Sequence, residues 1–170
     1  RVLFRSCFLE LKKKYKGIVF KRRISAPYTD IKSYMAGEDN GIENSQILKE
    51  IDYFRRFYGC LKPAADIFYD REAFYDRTDS SVRLTFDSNV LARGWDLELE
   101  NGIYGERVLE NGLYILEVKT PGAMPMWIAE MLNEFKIYPI PFSKYGTAYK
   151  NGLLTRENKK IITLGGEYCA

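Results

Sequence analysis

The sequence predicts an α+β fold: antiparallel strands that curl toward a β-barrel, here an incomplete one, with helices packed outside. Three observations lead there. Strand-like segments carry charges at alternating positions, where a half-buried strand should carry apolar residues. Turn signals at Lys16-Gly17, Asp76 to Ser80 and Asn111-Gly112 join neighbouring strands as hairpins. Apolar residues at helical spacing recur in two other stretches, from about Gln46 to Tyr58 and after Pro125.

Taken in order, the first strand runs from Cys7 to Lys14, with Leu9 and Leu11 on one face and Glu10 and Lys12 on the other. Phe8 falls by parity with Glu10 and Lys12. The second strand, Ile18 to Ile24, sets Ile18, Phe20, Arg22 and Ile24 against Val19, Lys21 and Arg23. Pro27 and the glycines at 37 and 41 read as a loop. A helix follows over about 46–58, its face formed by Ile47, Leu48, Ile51 and Phe54, with Gly59 as its stop. Strands are expected near 65–74, 81–87, 95–99 and 106–109, then over 113–119. Pro125 opens a second helix with a stripe of Trp127, Ile128, Met131, Leu132 and Phe135, ended by Pro139 and Pro141. Ser143 is placed to cap a last short helix containing Lys144, Tyr145 and Tyr149. The stretch from Arg156 to Lys160 reads as a solvated tail, which gives a division into a domain over 1–150 and a tail over 151–170.

Composition narrows the chemistry. With 170 residues, 46% hydrophobic and 15% aromatic, the chain can bury a sizeable core and reads as one domain. The net charge of +3 conceals an asymmetry, because the first 23 residues hold nine Lys or Arg and one acid. There, basic residues interleave with apolar ones at strand spacing, which suits an anion-lined sheet. The absence of histidine excludes Ser-His-Asp and Cys-His catalysis and every His-ligated metal. Three widely separated cysteines without metal-ligand spacing suit a reducing, cytoplasmic setting. No apolar run approaches the ~20 residues that span a bilayer. The chain begins at Arg1, has its first Met at position 35 and enters a strand pattern at once, so it is expected to be a piece that has lost N-terminal strands.

The charged strand positions carry the functional reading. Tyr69 and Arg71 share a face, as do Glu117 and Lys119, and Arg83 stands on its own strand. Charges inside a sheet are costly unless paired or liganded, so they suggest a wet, electropositive interior built to receive an anion. Each residue also has a plainer role. Arg71 can pair with Asp70 or Glu72 at the surface, Glu117 and Lys119 can pair with neighbouring strands, and Tyr69 can be packing. Lys12 to Lys14 can be a solvated run.

Six segments, in order, resemble the VTC domain: Leu9 to Tyr15, Val19 to Arg23, Tyr69 to Phe74, Val82 to Asp87, Leu116 to Lys119, and Phe142 to Tyr145. This is the polyphosphate polymerase domain of the vacuolar transporter chaperone proteins and their bacterial relatives, within the triphosphate tunnel metalloenzyme (CYTH-like) superfamily. The resemblance implies a tunnel of antiparallel strands whose basic residues hold ATP and polyphosphate, or triphosphate. It implies phosphate contacts and catalysis by Lys12, Arg71, Arg83 and Lys119, and phosphate binding by Lys21, Arg23, Tyr69, Ser143 and Lys144. Glu117 would hold Mn²⁺ or Mg²⁺.

The implied reaction moves the terminal phosphoryl group of ATP onto a polyphosphate chain. Hydrolysis of triphosphate in the same tunnel and non-catalytic polyphosphate binding are the alternatives. A nucleic-acid partner is disfavoured, because no aromatic platform lies beside the basic strands; a membrane-associated partner is left open. The family's earlier strands, with their arginine pair, have no counterpart here, so the 170-residue piece alone is expected to be inactive. The charged residues Lys12, Lys21, Arg23, Arg71, Arg83, Glu117 and Lys119 are expected on one concave face, with Leu84, Phe86, Leu116 and Val118 on the other, toward the helices.

Overall fold

Lys16 and Gly17 both adopt positive φ, the geometry of a two-residue hairpin turn, and join β1 (Cys7–Tyr15) to β2 (Ile18–Ala26) in an antiparallel pair. The computed structural model describes residues 6–59, 61–154 and 162–163. The chain divides into two compact units, 1–62 and 63–170.

In the first unit, the apolar face of the hairpin is covered by two helices, α1 (Tyr28–Ala36) and α2 (Gln46–Tyr58). Leu11, Tyr34, Leu48 and Ile51 form its buried centre, with Leu9, Ile24 and Phe54 packed around them. Ser45 caps α2 by accepting from the Leu48 amide at 3.2 Å. The region expected to be a loop after Pro27 is instead α1. Gly37 ends α1 in the left-handed conformation, its amide donating to the carbonyl of Tyr34. Two long-range contacts fix this short helix. The Tyr34 hydroxyl donates to Asp52 at 2.6 Å, and Arg55 donates to the carbonyls of Tyr34 and Met35, each at 3.0 Å.

The second unit is organised around β4 (Arg83–Arg93). β3 (Asp66–Tyr75) pairs with β4 antiparallel, across a register shift between Phe68 and Asp70. β6 (Ile115–Lys119) pairs with β4 over Arg83 to Asp87, and β5 (Tyr104–Arg107) over Leu91 and Ala92. Within the stretch expected to be tail, β7 (Ile162–Thr163) pairs with β5, and Leu153 and Leu154 pack against the core of the unit; residues 155–161, including Arg156 to Lys160, and 164–170 lie outside the described residues. The turn from β3 to β4 is built by Asp76, whose carboxylate accepts from the Thr78 and Asp79 amides at 2.7 and 3.0 Å.

Two helices, α3 (Met126–Glu134) and α4 (Lys144–Lys150), complete the second unit. Ile128 of α3 is fully buried against Val82 and Leu84, with Phe86, Leu116 and Val118 alongside. α4 packs elsewhere, Ala148 meeting Val90, Ala92, Val108 and Ile115. The fold is therefore α+β with open antiparallel sheets, as an incomplete barrel requires, and no closed barrel forms among the described residues.

The sequence reading over 95–109 was the least accurate. β4 runs on to Arg93, residues 95–98 form a bend and irregular chain where a strand was expected, a 3-10 turn (Leu99–Asn101) follows, and β5 starts two residues early. The cause is Arg93, which no local pattern reveals. Its side chain is fully buried, donating to Asp66 at 2.7 Å and to the carbonyls of Gly102 and Glu98, with the Tyr104 ring 4.1 Å from the guanidinium carbon. The buried ion binds the turn to the strand, and this overrides the alternation of the turn's own residues.

Candidate functional site

Register decides which side chains of the second unit meet. Residues directly opposite in an antiparallel pair share a face. Arg71 lies opposite Asp87, and Tyr75 opposite Arg83, across β3 and β4. Arg83 lies opposite Lys119, and Thr85 opposite Glu117, across β4 and β6. Arg71, Arg83, Thr85, Asp87, Glu117 and Lys119 therefore form one polar face. Leu84, Phe86, Leu116 and Val118 alternate to the other side, where α3 covers them. No β-branched or aromatic preference separates the faces; the period of two does.

Asp87 is the centre of this face. It is 1% exposed and accepts from Arg71 Nε at 2.6 Å and Nη2 at 2.7 Å. Lys144 Nζ donates to the same carboxylate at 2.5 Å, from the first turn of α4. Ser143 orients that turn, its hydroxyl oxygen accepting from the Gly146 amide at 3.1 Å. The Tyr69 ring flanks both cations, 5.0 Å from the Arg71 guanidinium carbon and 4.4 Å from Lys144 Nζ.

Burial alone would push the Asp87 carboxyl up, but hydrogen bonds from Arg71 and Lys144, together with their charges, hold it below the usual carboxylate range. The hydrogen bonds to Asp87 push the Arg71 guanidinium up further, so it is charged at every accessible pH.

Toward the other end of the face, Glu117 is open, its side chain 45% exposed, paired with Lys119 at 3.1 Å and within 3.9 Å of Arg71 Nη2. Arg83 Nε and Thr85 Oγ1 are buried with no hydrogen-bond partner among the described residues. Four cations, Arg71, Arg83, Lys119 and Lys144, thus face two carboxylates. The face keeps an excess of positive charge and two unsatisfied polar atoms, a chemistry that can receive an anion.

The remaining sequence candidates lie on the hairpin of the first unit. Lys12 and Lys21 are directly opposite, and Arg23 is opposite Glu10. Lys21 pairs with Glu10 at 2.8 Å, and the Arg23 guanidinium carbon stands 4.3 Å from the Phe8 ring. Lys12, Lys21 and Arg23 therefore share the hairpin face away from α2, and all three are exposed. Tyr69, Arg71, Arg83, Glu117, Lys119, Ser143 and Lys144 all belong to the second unit.

The sequence reading missed Asp87 and Thr85. The signal was present, since both share the parity of Arg83 along one strand. What was absent was the partner: that Asp87 meets Lys144, distant in sequence, depends on α4 packing against the strand.

A hard cation needs oxygen ligands. Among the described residues no group of three or more Asp, Glu, Cys or His is arranged to hold a metal ion. Asp87 already accepts three charge-assisted hydrogen bonds, which leaves Glu117 as the accessible carboxylate on this face. No helix among the described residues is long and apolar enough to cross a membrane.

No curated protein matches the chain. The family profile of the VTC domain does, over residues 4–152, so that both the basic hairpin and the Asp87-centred face lie inside the match. By this match over most of its length, the chain belongs to the VTC domain family.

Proposed function

We propose that this chain belongs to the catalytic domain of a polyphosphate polymerase, which transfers the terminal phosphoryl group of ATP to a polyphosphate chain. One observation carries the reading: a sheet face with four cations, two carboxylates and two unsatisfied buried polar atoms, inside a domain of a family linked to polyphosphate. Phosphoryl transfer asks a protein mainly to position the reactants and neutralise charge. Arg71 and Arg83 supply planar donor forks suited to phosphate oxygens, and Lys119 and Lys144 add point charge. The three cations of the hairpin, Lys12, Lys21 and Arg23, are proposed as further phosphate contacts.

The donor set fits a divalent cation such as Mn²⁺ or Mg²⁺ in one mode. Such ions are commonly held by one or two carboxylates, with phosphate oxygens completing the shell, and Glu117 is an exposed carboxylate beside phosphate-binding cations. When bound, the ion would neutralise phosphate charge. The chain's own residues do the rest: Arg71, Arg83, Lys119 and Lys144 align adjacent phosphates, and Tyr69 restricts where Arg71 and Lys144 can move.

The test uses the protein produced from its full reading frame. With ATP and Mn²⁺ it should lengthen polyphosphate and release ADP. Phosphate release without chain growth would support triphosphate hydrolysis instead, and tight tripolyphosphate binding without turnover would support a binding module. Glu117→Gln should abolish metal-dependent turnover and leave the circular dichroism spectrum unchanged. Turnover that keeps its metal dependence in this variant would make Glu117 only an ion-pair partner of Lys119.

A further inference from the structure

A surface that binds a polyanion gains nothing electrostatically from a buried carboxylate at its centre. Asp87 lowers the positive potential of the face, and its burial costs solvation. Its geometry offers another reason for its presence. Arg71 has five N–H donors, of which one on Nε and one on Nη2 are taken up by Asp87. Both N–H groups on Nη1 and the second on Nη2 remain. Lys144 gives one N–H to the same carboxylate and keeps two. The side chains are 34% and 21% exposed, so these remaining donors are within reach of a ligand. Tyr69 closes a third side, its ring in contact with both cations.

We propose that Asp87 is a positioning residue that holds Arg71 and Lys144 as a two-cation clamp on a single phosphoryl group of the substrate. Two cations bound to one carboxylate lie close enough to grip one phosphate. The guanidinium plane is fixed by its bidentate contact, so its outer edge is aimed before substrate arrives. This inference rests on the polyphosphate reading of the face. It adds to that reading a division of labour: Asp87 reduces the attraction for the polyanion and improves the alignment of the groups that act on it. Loss of Asp87 should therefore appear in turnover and not in affinity.

Asp87→Asn keeps the side-chain size and one acceptor oxygen. Its affinity for tripolyphosphate, measured by calorimetry, should be unchanged or tighter, while kcat for chain growth falls by at least about tenfold. An unchanged kcat would overturn the proposal, as would an affinity that weakens by the same factor as kcat. A second measurement needs no substitution. The Arg71 Nε–H resonance of the unsubstituted protein, followed by ¹⁵N NMR, should be sharp without ligand and should persist when tripolyphosphate is added. Its collapse on adding tripolyphosphate would mean that the ligand draws Arg71 away from Asp87, and the clamp would be refuted. Failure of the polymerase reading is seen separately, as an absence of chain growth in the unsubstituted protein.

Discussion

Arg83 has a buried Nε with no hydrogen-bond partner among the described residues, although it sits directly opposite Lys119 and Tyr75. A buried donor left without a partner costs about 1–3 kcal/mol, so this side chain is a burden on stability. Arg83→Met should leave the denaturation midpoint unchanged or raised, while tripolyphosphate affinity falls roughly tenfold, as expected for a lost charge-assisted contact. A clear loss of stability would identify Arg83 as structural instead. Asp87 has the opposite balance. Its folded-state pKa lies below its unfolded value, near 3.9, so its contribution to stability is complete above that value and disappears as the pH falls through the folded pKa. Thermal unfolding followed from neutral pH downward should show an acid limb below about pH 4, and Asp87→Asn should shrink that limb. Of these two residues only Arg83 was legible as a site residue. A cation among apolar strand neighbours is conspicuous, whereas Asp87 closes its strand motif and gains its meaning from Lys144.

At the scale of elements, α4 is short and its N-terminus is held by one side chain, Ser143. Ser143→Ala should destabilise the second unit by about 1 kcal/mol, read from urea unfolding, the usual loss when a helix cap is removed. Lys144 follows Ser143 directly, so the same change should loosen its hold on Asp87 and lower kcat for chain growth, with tripolyphosphate affinity unchanged. The hairpin, α2, α3 and α4 were legible because a tight turn, a capping serine or an apolar stripe announces each of them locally. α1 was not, because Pro27 before it and the glycines at 37 and 41 after it read as loop signals, and a single side chain, Tyr34, is buried from it. Its support comes from Asp52 and Arg55 on α2, beyond the reach of any local window. The 95–103 segment failed for the same reason, since a buried arginine from the preceding strand dictates its course.

For the whole molecule, a net charge of +3 would lead one to expect a weak response to salt. The distribution of charge argues otherwise, with exposed lysines and arginines gathered on the hairpin and four cations on the face around Asp87. Affinity for tripolyphosphate should therefore fall steeply as ionic strength rises from about 0.01 to 0.15 M, the range in which the screening length drops from about 30 to 8 Å. A flat response would mean that these cations are already neutralised by their neighbours. One feature of the architecture bears on how such a protein ages and fails. β4 carries Arg83, Thr85 and Asp87 on one face and core residues on the other, and is hydrogen-bonded along both edges, to β3 and to β5 and β6. Its amides should be among the last in the unit to exchange with deuterium, because they are released only when the sheet itself opens. Arg83, Thr85 and Asp87 are carried by this strand itself, so they keep their places for as long as the sheet that bears them stays closed.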